Sequence, residues 1–287
     1  MKFALIGAGR AGKALATALQ TAGYQLIAVA GGRGKAAAAF AAASGACYCE
    51  TAASAAAKGN IVLLAVPDKE IVECAQEIAT SGDLQKGCVV LHICGSQNAE
   101  VLSCLRRVGA AVGSMHPLQS FSGDTAAGAA CIRGTYFAID GDEAAVAAAS
   151  DMIEVLGGHR LLVSGEQRAL YHAAACMASN YLTALLHGSV RLMGQCGISP
   201  EDALPALAPI VMATLKNIMV HGTLPALTGP IVRGDDQTLV RQLKQVDDLP
   251  KEAALYRALA EYTIAIAAEG GLLEDKQIGL LENALKS

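Results

Sequence analysis

Three glycines within the first dozen residues constrain this chain more than anything that follows them. Phe3 to Ile6 is a short apolar run with the character of a buried parallel strand, and Leu15 and Leu19 recur beyond it at helical spacing. Gly7, Gly9 and Gly12 therefore sit in a strand-to-helix turn. In that setting Gly7 permits the tight turn, Gly9 lets a pyrophosphate approach the backbone, and Gly12 lets the helix pack on the strand, with phosphates at the helix N-terminus. The pattern predicts a dinucleotide site built from Gly7, Ala8, Gly9, Arg10, Ala11 and Gly12. A plain connector needs one glycine at most, because each costs conformational entropy.

With 287 residues, the chain exceeds a single doubly wound unit and predicts two domains. The helical pattern becomes continuous after Ser164, so the expected α/β fold is an N-terminal Rossmann doubly wound sheet over residues 1–164, followed by an all-α domain over 165–287. The apolar fraction of 53% is carried by alanine, and no stretch reads as an uninterrupted membrane span. Lys2 and the four residues after it read as a strand and not as a signal peptide, which points to a soluble, cytoplasmic protein. The cysteines fall mostly within apolar patterns without a CxxC framework, as expected of small buried hydrophobes in a reducing compartment. Cys47 and Cys49 have no second pair to complete a metal set, so no metal is expected. A net charge of −4 without a basic run argues against nucleic acid as a partner.

Further along, the strand Leu26 to Ala30 lacks the acidic residue that would hold both ribose hydroxyls of NAD. Arg33 and Lys35 instead open the next helix, where the macrodipole disfavours cations, so an anion is expected there. A 2′-phosphate gripped by Arg33 satisfies that expectation and selects NADP. Ala65, Val66 and Pro67 end a strand beside the glycine turn, and Asp68 reads as a helix cap with no chemistry. The strand Val89 to Cys94 opens into Gly95 and Ser96, the latter either a helix N-cap or a site residue. Pro117 holds His116 extended at the carboxyl end of a strand, where ligands bind in open sheets and an imidazole can exchange a proton. Ser96 and His116 end consecutive strands, and a hydrogen bond between them would orient the ring; a backbone-bonded structural histidine is the alternative.

Glu166 to about Gly194 reads as one long helix carrying Arg168, His172, Ser179 and Asn180. His172 and Asn180 lie about 12 Å apart along its axis, a span suited to a nicotinamide and a small substrate, although packing alone would also explain His172. The loop Leu227 to Asp235, with Thr228 and Arg233, suggests contact with an anion or a neighbouring subunit, or a plain helix connector. Leu255, Leu259, Tyr262 and Ile266 recur at helical spacing, as core or dimer interface.

Several of these stretches carry a resemblance that spans both expected domains. The Gly7 to Gly12 turn, Ala65 to Pro67, His92 to Ser96, His116 to Phe121, Tyr171-His172 through Tyr181, and Thr228 to Asp235 together resemble a family of Rossmann-like oxidoreductases with a helical C-terminal domain of unknown function. More distantly the chain is similar to the 6-phosphogluconate dehydrogenase-like group that includes pyrroline-5-carboxylate reductase, ketopantoate reductase, hydroxyacid dehydrogenases and prephenate dehydrogenase. The resemblance implies NADP-linked hydride transfer to or from a small carbonyl, imine or hydroxy acid in the gap between two domains, with a helical domain that dimerises. It implies that Gly95 joins the cofactor site, that His116 or His172 handles the proton near Ser96, and that Asn180, Gln119, Thr228 and Arg233 orient the substrate. Two departures matter. No Lys stands on the helix before Asn180, where hydroxyacid dehydrogenases and ketopantoate reductases carry a catalytic one, and Arg168 does not readily release a proton. Ser96 and His116-Pro117 resemble the Ser and His-Pro of prephenate dehydrogenases, which keeps that reaction as an alternative beside a non-catalytic NADP-sensing protein.

Overall fold

The computed structural model describes residues 1–31, 35–121 and 123–286. Its chain divides into two compact units, Met1–Ser179 and Asn180–Ser287. The first unit therefore runs past Ser164 and takes in the helix that follows it.

Among the described residues eight strands form one sheet: β1 (Lys2–Ile6), β2 (Gln25–Ala30), β3 (Cys47–Cys49), β4 (Ile61–Leu64), β5 (Val89–His92), β6 (Ala111–Pro117), β7 (Tyr136–Gly141) and β8 (His159–Leu162). Their order is β3-β2-β1-β4-β5-β6-β7-β8, with β1 to β6 parallel, β7 antiparallel to β6, and β8 parallel to β7. The order reverses between β1 and β4, which is the switch point where an open sheet leaves a crevice beyond its carboxyl edge. β4 and β5 are buried throughout, as the near-continuous apolar runs of central parallel strands require.

Helices cover both faces. α1 (Arg10–Thr21), α2 (Lys35–Ala43), α3 (Ala52–Ala56), α4 (Ile71–Ser81), α5 (Ser103–Arg106), α6 (Thr125–Ala130), α7 (Glu143–Val155) and α8 (Arg168–Cys176) complete the first unit. Phe3, Leu5, Leu15, Leu19 and Ile153 share one core layer, while Ile6, Leu64, Ile71, Ile78 and Leu105 share the layer on the other side. Full burial of each such side chain contributes about 1.5–3 kcal/mol before entropy is counted. β3 has no counterpart in the sequence pattern, since Cys-Tyr-Cys is too short for a periodic signal, and it pairs along the sheet edge with β2. The cysteines also depart from expectation, since Cys47, Cys131 and Cys196 are exposed and only Cys49, Cys88 and Cys94 are buried.

The long helix expected over 166–194 is broken. A 3₁₀ turn (Gly165–Gln167) leads into α8, and a π-helical turn (Met177–Tyr181) precedes α9 (Leu182–Gln195). A π turn holds an extra residue, so His172 and Ser179, seven residues apart, do not keep the regular helical spacing that would set them on one stripe.

The second unit is all helical, with α9, α10 (Pro200–His221), α11 (Asp236–Val246), α12 (Pro250–Glu269) and α13 (Asp275–Lys286). Its core gathers Leu239, Leu243, Ile264 and Leu281, while Leu259 and Tyr262 are exposed. α10 departs from the expectation that no stretch reads as a membrane span. That helix is long and apolar enough to cross a membrane, with mean hydropathy 1.6 in its most apolar window and 6% of that window buried.

Candidate active site in the first unit

Gly7 takes φ 101°, open to glycine but strained for other residues, and a Cβ there would lie 2.4 Å from the Ala65 carbonyl oxygen. β1 and β4 thus end against each other, with Ala65 and Val66 at the turn. A Cβ on Gly12 would strike the Gly7 carbonyl oxygen at 2.3 Å, so α1 starts directly over the strand end. Gly9 is the N-cap of α1 and offers no capping side chain, and beyond its chain neighbours no atom of the described residues lies within 4 Å of the position a Cβ would occupy. No acidic residue sits in the first turn of α1. An uncapped helix start with open space above it presents backbone N–H groups to an anion, so the turn fits the pyrophosphate of a dinucleotide. Arg33, the residue expected at the 2′-phosphate, lies outside the described residues.

The titratable groups gather at the ends of the neighbouring strands. His116 on β6 accepts or donates a hydrogen bond through Nδ1 to the Tyr171 hydroxyl of α8 at 2.9 Å. The His116 and His172 rings stand edge to face with centroids 6.0 Å apart. Both rest over Gly95: a Cβ there would lie 2.6 Å from His172 Cδ2 and 2.7 Å from His116 Nε2. Burial, then the neighbouring His172 and the Arg168 cation, push the His116 imidazole down to about 4, so it is neutral near pH 7. Burial raises the Tyr171 phenol, against a lowering by Arg168.

A polar row beneath α8 explains how that helix reaches the site. The strand register sets His92 of β5 beside Ser114 of β6, and Ser114 opposite Asp140 of β7. Arg168 crosses this row. Its Nη2 donates to Asp140 Oδ1 at 2.9 Å, to the Ala138 carbonyl at 3.2 Å, and to Ser114 Oγ, while Ser114 Oγ also bonds Asp140. The Arg168 side chain is 1% exposed, and its Nε and Nη1 have no hydrogen-bond partner among the described residues. Ser114 and His116 share one sheet face at a spacing of two, and Arg168, Tyr171 and His172 share one helix face at spacings of three and four. Arg168 on Ser114 and Tyr171 on His116 are thus successive rungs between the same two elements. His92 accepts from Cys94 N–H on Nδ1 at 3.2 Å, so its Nε2 carries the proton and donates to the Asn98 carbonyl at 3.0 Å. That bond fixes the loop holding Gly95 and Ser96.

Ser96 and His116 do not bond as the sequence suggests. Ser96 Oγ donates to Asp68 Oδ2 at 2.9 Å, and the helical turn after Ser96 is capped by Asn98. Asp68 in turn makes no cap: it opens a 3₁₀ turn whose N-cap is Pro67, and its carboxylate faces Ser96. Gln119 donates to the Cys131 carbonyl and accepts from the Ser120 N–H, so both ends of its amide serve the backbone. In the second unit, Asn180 is exposed within the π turn and Arg233 is exposed in its loop. Thr228, with Leu192, Ile231 and Tyr256, borders a cavity of about 380 Å³. Asp235 of the same loop caps α11 by accepting from the Thr238 N–H at 2.9 Å. Asp140 and Ser114 carry no local signal in sequence, and Tyr171 enters there only within a stretch of the resemblance; the sheet register and the helix face unite the three.

Comparison with known families matches a Rossmann-like domain to residues 1–117, and a domain of unknown function, DUF2520, to residues 135–263. The chain joins a Rossmann-like domain to a DUF2520 domain. The histidine cluster is drawn from both: the Rossmann-like stretch supplies Gly95, Ser96, Ser114 and His116, and the DUF2520 stretch supplies Asp140, Arg168, Tyr171 and His172. No curated protein matches the chain. Among solved structures it is similar to a Bacteroides fragilis protein provisionally described as an NADP oxidoreductase, with TM-score 0.78 and 21% identity over 92% of this chain and 98% of that one. A Plasmodium falciparum pyrroline carboxylate reductase with NADP bound aligns at TM-score 0.59 and 13% identity, over 93% and 98% of the two chains. A Myxococcus stipitatus imine reductase in complex with NADP⁺ aligns at TM-score 0.60 and 16% identity, over 94% and 93%. At these identities the likeness is one of fold.

Proposed function

We propose that this protein is an NADP-dependent oxidoreductase, moving a hydride between the nicotinamide and a small carbonyl, imine or hydroxy acid. The observation that carries the reading is the pairing, along one carboxyl edge of one sheet, of an uncapped helix start at Gly9 with a histidine pair over Gly95. The first binds an anionic dinucleotide, and the second supplies proton chemistry beside it. The solved relatives with NADP in their sites, a pyrroline carboxylate reductase and an imine reductase, support the choice of cofactor and of reaction class. Absence of an acidic residue at the end of β2 supports NADP over NAD, and Arg33 is the residue proposed to hold the 2′-phosphate.

When bound, the nicotinamide supplies the hydride chemistry, and the chain supplies placement and a proton. His116 and His172 are the residues proposed for the proton, with Ser96 held by Asp68 beside them. The prephenate-type alternative needs a further cation for a second carboxylate, and the guanidinium nearest His116 is already committed to Asp140 and Ser114. We also propose that the second unit pairs with another copy of the chain through α10. Ile210, Met212 and Met219 are 65%, 65% and 81% exposed on that helix, an apolar surface that water does not tolerate uncovered.

The deciding experiment follows NADPH absorbance against 2-oxo acids, ketones, cyclic imines and hydroxy acids. Turnover of one class establishes the reading. Calorimetry that detects neither NADP(H) nor NAD(H) bound at millimolar concentration overturns it.

A further inference from the structure

We propose that Tyr171 is the proton reservoir of this site, and that it acts through a neutral His116 that relays its proton to a substrate carbonyl oxygen. The inference rests on the oxidoreductase reading and names the substrate class within it.

The geometry starts at the 2.9 Å contact between the Tyr171 hydroxyl and His116 Nδ1. A phenol donating to Nδ1 fixes the tautomer, because a neutral imidazole then carries its own proton on Nε2. That nitrogen lies over the bare Cα of Gly95 and makes no hydrogen bond among the described residues. His116 is therefore set to donate from Nε2 while accepting at Nδ1. The charged and titratable groups around it are His172, Arg168 and Tyr171 from α8, His92 from β5, and Asp68 from the turn after β4. Burial and the cationic neighbours disfavour an imidazolium, so the ring does not store the proton itself. Arg168 works in the opposite sense on Tyr171, since its cation favours a phenolate against the cost of burial. One buried guanidinium thus disfavours the charged ring and favours the charged phenol, which is the bias a relay through a neutral ring requires.

The balance is simple. As hydride from a dihydronicotinamide forms the new C–H bond, the C=O π pair moves to oxygen. That oxygen takes the Nε2 proton of His116, Nδ1 takes the Tyr171 proton, and the phenolate beside Arg168 is reprotonated from water. The substrate is reduced by one hydride and the dihydronicotinamide is oxidised to nicotinamide, and the ring returns to its starting tautomer after proton exchange with water. A preformed iminium needs no proton at this step, so the device assigns the site to ketones or 2-oxo acids.

The test uses full-length wild type and Tyr171→Phe, which keeps the ring and removes the hydroxyl. Nitrogen NMR of ¹⁵N-histidine protein is expected to find His116 protonated on Nε2 and bonded at Nδ1 in wild type, and to lose that bond signature in the variant. With NADPH and a panel of ketones, 2-oxo acids and cyclic imines, the variant is expected to lose about 100-fold in kcat on carbonyls, the scale of general acid–base catalysis. Its NADPH affinity should be unchanged, and any imine turnover should be spared. An Nδ1–H tautomer in wild type, or a Tyr171→Phe enzyme that reduces carbonyls at the wild-type rate, overturns the relay. Wild type that fails to bind NADPH or reduce any member of the panel instead overturns the oxidoreductase reading.

Discussion

Replacing Arg168 by Met removes the cation from a pair whose side chains are 1% and 15% exposed. Deleting one member of a buried pair leaves the other charge stranded, at a cost of about 3–5 kcal/mol. Two features pull the value toward the lower limit. Asp140 keeps bonds from Ser114 Oγ and from the Ala99 N–H at 3.3 Å. Arg168 already leaves Nε and Nη1 without a partner among the described residues, so part of its own desolvation cost is relieved by the substitution. The expected net loss is about 3 kcal/mol, which for a unit of this size is roughly 6–12 °C in Tm. Calorimetric melting of the full-length protein reads it directly. Adding Asp140→Asn removes the stranded charge, and the double variant should recover about 1–2 kcal/mol of that loss, the coupling typical of residues in one network. An Arg168→Met protein that melts with wild type, or a double variant no better than the single, refutes the claim that this pair anchors α8 to the sheet.

Stability should also depend on pH through His116. The folded protein keeps that ring neutral down to about 4, whereas its ordinary value is 6.5. Between those values the unfolded chain binds more protons, so stability falls as pH drops through the window, by about 3 kcal/mol in all; urea midpoints of wild type should fall more than those of His116→Gln. Gly95→Ala would set a methyl 2.6 Å from His172 and 2.7 Å from His116. Overpacking of this kind costs about 1–3 kcal/mol, and circular dichroism should report a folded protein while turnover is lost, whereas unimpaired turnover would show that the two rings tolerate displacement. Sedimentation of the 29.3 kDa chain is expected to give a dimer that Met219→Glu dissociates; a monomeric wild type refutes pairing through α10.

The parts of the fold legible in sequence are those whose cause is local. Phe3 to Ile6 and the glycines after it signal β1 and its turn because an apolar run and a backbone requirement lie within a dozen residues. His116 is visible for the same reason, since Pro117 follows it at a strand end. Asp68 shows the limit: the local rule makes it a cap, and a distant hydroxyl, Ser96, claims its carboxylate. Arg168 is harder still. Its partner Asp140 lies on β7, 28 residues earlier in the chain, and nothing beside either residue in sequence announces the pair. Tyr171 acquires meaning only when the register of β6 and the face of α8 are both known. The π turn has no composition signal of its own, so Met177 to Tyr181 reads as ordinary helix.

The two rungs between β6 and α8 make the site intolerant of changes in length. One residue gained or lost between Ser114 and His116 would send one of them to the far side of the sheet. A comparable change between Arg168 and Tyr171 would swing the phenol about 100° around its helix. Side chains here are replaceable one at a time, but the intervals between them are not, so insertions in any descendant that keeps this chemistry belong outside 114–116 and 168–172.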